Sequence, residues 1–113
     1  MALTRDFKKT VVDRVNSDPE FAKALLDEAS TLFLAGDAET ARMILRDLIN
    51  ATIGFEGLAK ELDTPSKSLH RMLSESGNPS MNNISSIFAE MSHYLKVEIK
   101  TSIQDQKVER VFA

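Results

Sequence analysis

A chain of 113 residues with 42% hydrophobic and 27% charged side chains can bury a modest core without metals or cross-links, and it is too short for a second independent domain to be expected. It has no cysteine, which excludes disulfides, thiolate zinc ligands and a cysteine nucleophile, and its four Gly and three Pro point to long, rarely interrupted helices. The formal charge of −3 excludes a basic surface overall: residues 1–53 carry 7 basic and 9 acidic side chains, 54–77 carry 3 and 4, and 78–113 carry 4 and 4, so any phosphate contact must come from local placement and non-specific affinity is expected to be weak.

Met1-Ala2-Leu3-Thr4-Arg5-Asp6 turns charged before an apolar run of signal-peptide length, and no stretch approaches the ~20 apolar residues of a membrane span. A cytoplasmic protein with no membrane contact is expected. Leu3, Phe7, Val11, Val12 and Val15 recur at helical spacing and predict an amphipathic helix over 4–16. Asp18-Pro19 ends it and opens a second helix, with Asp18 as N-cap and Pro19 at the first helical position. Phe21, Leu25, Ala29, Leu32 and Phe33 form the second stripe, and Gly36 stops it.

Asp37 caps a third helix, where Glu39 adds a second acid to the first turn and Ala41, Ile44, Leu45, Leu48, Ile49 and Thr52 face inward as far as Gly54. Phe55 to Leu62 makes a short fourth helix, broken at Asp63-Thr64-Pro65-Ser66 because Pro65 has no amide hydrogen to continue it. A fifth helix is expected over 66–75, with Thr64 as its cap and Leu69, Met72 and Leu73 inward. After the turn Ser76-Gly77-Asn78-Pro79, a sixth helix starts near Ser80 with Met81, Ile84, Ile87, Phe88, Met91 and Leu95 on one side. Val97, Ile99, Thr101 and Ile103 then alternate with polar residues, which predicts a short strand. A lone strand must pair, and a second copy across a dimer axis is a natural partner. Residues after Gln104 read as a loose tail.

The segment from Leu58 to Leu73 carries the functional signal. Two short helices joined by a tight turn need a small residue where they approach, which Ala59 supplies, while Leu58, Leu62, Leu69 and Leu73 fill the angle between them. The polar side chains Ser66, Lys67, Ser68, His70 and Arg71 are then free to enter a major groove about 12 Å wide. Leu58-Ala59, Leu62, the turn and Leu69 resemble the phage-repressor-like (Xre-type) helix-turn-helix. Ala35-Gly36-Asp37, Ile53-Gly54-Phe55, Ser66-Lys67-Ser68-Leu69, Leu73-Ser74 and Gly77-Asn78-Pro79-Ser80 extend the similarity to its addiction-module antidote branch, the HigA-type antitoxins, over roughly residues 35–99.

The resemblance implies a helix-turn-helix domain of four or five helices over 37–95; with the pattern read along the chain this gives an all-α fold, with a two-helix extension over 1–36 packed on the core, which is not part of the minimal repressor core, and a short strand and tail over 96–113. It implies a homodimer on a palindromic operator in double-stranded DNA, acting as a repressor, and a RelE/ParE-like toxin as partner. The family's base readers fall on Ser66, Lys67 and Arg71, and the guanidinium fork of Arg71 suits guanine O6 and N7. Ser68 and His70 are placed at phosphates or the groove edge. Asn78, Ser80 and Asn82, with Met81 and Asn83, are placed to offer amides and a helix N-terminus to a phosphate. The chain departs from the family at Asp63, where the turn commonly has Gly with positive φ, and at Pro65.

Two alternatives stand beside this. The stripes of the first two helices serve either as core and dimer packing or as a toxin-holding surface, and the chain is then an interaction protein with DNA binding secondary or lost. His70 and His93 match no compact metal-ligand spacing, and the pairs Asp27-Glu28 and Asp37-Glu39 are explained by helix-surface charge and capping. Neither an enzyme nor a cofactor is expected.

Overall fold

The computed structural model describes residues 5–106, and over this range the chain is all-helical. The expected helical residue Thr4, its neighbour Leu3, the side chain of Phe7 and the tail beyond residue 106 lie outside what is described. The helices are α1 (Arg5–Ser17), α2 (Pro19–Leu34), α3 (Ala38–Ala51), α4 (Gly54–Leu62), α5 (Ser66–Met72) and α6 (Met81–Leu95).

Capping explains the boundaries. The Asp18 carboxylate accepts from the Glu20 N–H at 3.1 Å with Pro19 opening α2, Asp37 accepts from the Thr40 N–H at 3.2 Å, and Ser80 Oγ accepts from the Asn83 N–H at 3.1 Å. Three helices end in the same left-handed reversal. Gly36 (φ 100°), Asp63 (φ 51°) and Lys96 (φ 59°) turn the chain so that the following amide reaches back five residues, Asp37 to Leu32 at 2.9 Å, Thr64 to Ala59 and Val97 to Ser92 both at 3.0 Å.

The core follows the expected stripe in α3 but is rotated by about one residue in α2, where Ala22 and Leu26 are buried and Phe21 and Leu25 are half-buried, and Met81 of the sixth stripe is exposed. Leu26 of α2, Leu45, Leu48 and Ile49 of α3, Leu58 of α4, Leu69 of α5 with Leu73 just beyond it, and Ile87 and Met91 of α6 are fully buried in one cluster. Burying each such side chain contributes about 1.5–3 kcal/mol against chain entropy. α2 packs along α3 and also meets α6, so Ala22, Leu26 and Ala29 belong to the same cluster as the residues of α4 and α5. α1 lies on α2 and α3, with Val11 buried and the Arg14 guanidinium 4.5 Å from the centre of the Phe21 ring.

Two local expectations are corrected. Thr64 does not cap α5: its hydroxyl donates to the Leu62 carbonyl at 3.0 Å, and the Pro65 carbonyl takes the first amides, from Ser68 and Leu69. α5 ends at Met72 rather than Glu75: Leu73 leaves helical geometry (φ −101°, ψ 11°), and the Ser74 N–H and hydroxyl both donate to the Arg71 carbonyl, three residues back instead of four. Residues 97–106 are neither helix nor strand and form no strand pairing among the described residues.

Candidate nucleic-acid interface

α4 and α5 are joined by Asp63, Thr64 and Pro65. Asp63 adopts φ 51°, ψ 46°, the left-handed conformation in which Asp costs less than a branched residue. The reversal there and the extended Pro65 (φ −58°, ψ 138°) launch α5 so that Leu69 and the following Leu73 fall into the core under Leu58. Lys67, His70 and Arg71 remain exposed, and Ser66 and Ser68 are half-buried. Lys67 and Arg71, four positions apart, share one face of the helix.

Two of these side chains have partners that sequence spacing did not suggest. Ser66 Oγ donates to Glu56 Oε2 at 3.0 Å, tying the start of α5 to the first turn of α4. The His70 ring is stacked on Phe55, with centroids 3.9 Å apart and planes inclined by 19°. The imidazole therefore covers a core aromatic instead of standing clear of the surface.

The C-terminal end of α5 is fastened from α3. Arg46 Nη1 donates to the Leu73 carbonyl at 3.2 Å, Arg42 Nε to that of Ser74 at 3.4 Å, and Arg42 Nη2 to that of Glu75 at 3.3 Å. Cations at carbonyls just past a helix end satisfy acceptors and complement the negative pole. Gly77 completes the turn: a Cβ there would run into the Met72 carbonyl oxygen and lie 2.6 Å from that of Arg71. No periodicity marks these roles, since Arg42 and Arg46 look like ordinary surface charges of an amphipathic helix.

The remaining predicted residues lie on the next element. Asn78 and Asn82 are exposed, and Ser80 is committed to capping α6. Asn78 lines a cleft of about 190 Å³ with Phe33, Arg42, Pro79, Met81 and Ile84. Asn83, not Asn82, shares a smaller cleft with Thr64, Leu69 and Met72, and so borders the α4–α5 unit directly. The local charge is mixed: Lys60, Lys67 and Arg71 stand among the exposed Glu56, Glu61 and Asp63. Among the described residues, no group of three or more His, Asp or Glu side chains is arranged to hold a metal, and no helix is long and apolar enough to cross a membrane. Compared with models of known families, with characterised proteins and with solved structures, the chain matches none.

Proposed function

We propose that the chain is a sequence-specific DNA-binding transcriptional repressor of the phage-repressor-like helix-turn-helix type, acting in the cytoplasm as a homodimer on a palindromic operator, and the antitoxin-like component of a toxin–antitoxin operon. The observation that carries this reading is the division of α5: Leu69 and the adjoining Leu73 are anchored in the core while Lys67 and Arg71 stand outward on one exposed face. A short helix propped in this way by its neighbour suits insertion into a major groove.

In this reading Arg71 reads a base, Lys67 and Ser66 stand at the front of the recognition helix, and Ser68 approaches the backbone from the groove edge. His70 serves mainly by holding the two helices together through Phe55. Asn78, Ser80 and Asn82 flank the neighbouring phosphate, with Asn83 added by its position beside Met72. The acidic neighbours keep non-specific affinity low, so discrimination rests on base contacts more than on bulk charge. The short strand expected over 97–103 belongs to the dimer and forms when a second copy is present.

A gel-shift titration against the DNA upstream of the chain's own gene, at two salt concentrations, tests the reading. The expected result is a shift at or below micromolar protein that weakens steeply with salt; no shift at micromolar protein overturns it. A second reading draws on Leu34 (66% exposed) and Met81 (82% exposed), the latter on the rim of the cleft with Phe33 and Pro79. Such apolar anchors suit an interaction protein that neutralises a RelE/ParE-like toxin, and that interface responds little to salt.

A further inference from the structure

Beyond α6 the chain carries the pattern of an edge strand without a neighbour. Val97 and Ile99 are half-buried against the core, Glu98 and Lys100 are exposed, and Ile103 is 98% exposed. The Val97 N–H donates to the Ser92 carbonyl, and from residue 98 to 106 no backbone group makes a hydrogen bond among the described residues. A row of open donors and acceptors beside side chains anchored at alternate positions is a template for another strand.

We propose that this edge is closed by the same segment of a second copy, in an antiparallel pair whose twofold axis passes at Ile99. The proposal rests on the dimeric part of the reading above and supplies its interface. Cross-strand neighbours project from the same face of a sheet, so a register that sets odd positions against even ones would place Ile99 against charged or polar side chains. Of the remaining registers, centring on Glu98 or on Lys100 sets like charges opposite each other. Centring on Thr101 sets Val97 against Asp105, an apolar anchor against a carboxylate.

Centring on Ile99 sets Glu98 of each copy opposite Lys100 of the other, two complementary pairs for one axis. Glu98 and Lys100 already share a face, with Lys100 Nζ 3.7 Å from Glu98 Oε1 and both about 80% exposed, so neither is committed to the chain's interior. The same register sets Ile99 against its own copy and Val97 against Thr101. It also carries Ile103 toward residue 95 of the other copy, where Val15, Ala22, Tyr94 and Leu95 line an open cleft of about 310 Å³.

The test is sedimentation equilibrium of the full chain without DNA, for the wild type, Glu98→Lys, Lys100→Glu and the double reversal. The expected result is a wild-type dimer, a dissociation constant raised about tenfold by each single reversal, and a return to within about threefold in the double variant. Because the chain has no cysteine, register is read independently by oxidising single variants. Ile99→Cys is expected to form a disulfide-linked dimer, whereas Thr101→Cys and Ile103→Cys, displaced from their copies by ~14 Å or more along the strands, are not. A wild-type chain that stays monomeric at about 100 µM, single reversals that associate like wild type, or preferential linking at Thr101→Cys each overturn the proposal. With DNA absent, loss of the dimer leaves operator binding to be judged by its own titration, and a dimer that shifts no operator leaves the strand pairing standing.

Discussion

The imidazole of His70 lies nearly parallel to the ring of Phe55, 3.9 Å away between centroids, so an exposed residue of α5 rests on a buried one from the first turn of α4. Stacked aromatic pairs contribute about 0.5–1.5 kcal/mol beyond the area they bury. His70→Ala is expected to lower unfolding stability by about 1 kcal/mol, and a double-mutant cycle with Phe55→Leu to show coupling of similar size. The salt dependence of operator binding should not change in His70→Ala, whereas loss of a phosphate contact would reduce its slope by about one.

The arginines of α3 hold the carbonyls that end α5, and their contributions differ. Arg46 is half-buried, and its Nε is buried with no acceptor among the described residues, so part of the gain from its bond to Leu73 is offset by desolvation. Arg46→Met keeps the apolar stem and is expected to cost about 1 kcal/mol in urea unfolding. Arg42→Ala, which releases two carbonyls nearer the surface, should cost about 0.5–1.5 kcal/mol. The pair should be non-additive, because both act on one turn.

Two glycines predict different outcomes for the same substitution. Gly77→Ala places a methyl group on the Met72 carbonyl, which is backbone and cannot swing aside, and is expected to cost more than about 2 kcal/mol. Gly36 has φ 100° with nothing within 4 Å of a built Cβ, so Gly36→Ala meets only backbone strain and should cost about 1 kcal/mol. Thermal unfolding of both variants checks the ranking.

At the turn, Asp63 holds a left-handed conformation that glycine adopts without a Cβ penalty. Asp63→Gly is expected to stabilise the fold by about 0.5 kcal/mol, and Asp63→Val to destabilise it by more than about 1 kcal/mol. Equal stabilities for the two would contradict the assigned turn geometry.

Operator binding separates a reading residue from a local repulsion. Arg71→Ala should cost about 1–3 kcal/mol and relax preference at one base pair in a competition assay. Glu56→Gln removes a negative charge and loosens the hold on the Ser66 hydroxyl, so affinity should rise about twofold to fivefold with base preference retained. Unaltered affinity and preference in Arg71→Ala would remove α5 from the interface.

The helices were legible in the sequence because their boundaries are set locally. Asp18-Pro19, Gly36-Asp37 and Ser80 act within a few residues, and the stripe of the third helix matches its buried residues, whereas the second helix buries Ala22, Leu26, Ala29 and Ser30, only Ala29 being in its expected stripe, and Met81 of the sixth stripe is exposed. What could not be read depends on distance in the chain. Arg42 and Arg46 reach acceptors 27 to 33 positions away, and nothing in their own spacing distinguishes them from solvated charges. The stacking of His70 on Phe55 was hidden for the same reason, because its partner lies one helix earlier. The alternation from Val97 to Ile103 is visible, but no strand pairing forms there among the described residues.

The three arginine bonds from α3 end on main-chain oxygens. Every residue type carries such an oxygen, so the tilt of the outward helix is specified without reference to the side chains it displays. Positions 67 and 71 can therefore be rewritten while these three bonds stay constant, whereas position 70 also holds Phe55. If the chain acts as the proposed repressor, a new target sequence is acquired by changing the lettering alone, with the bracket that holds it left untouched.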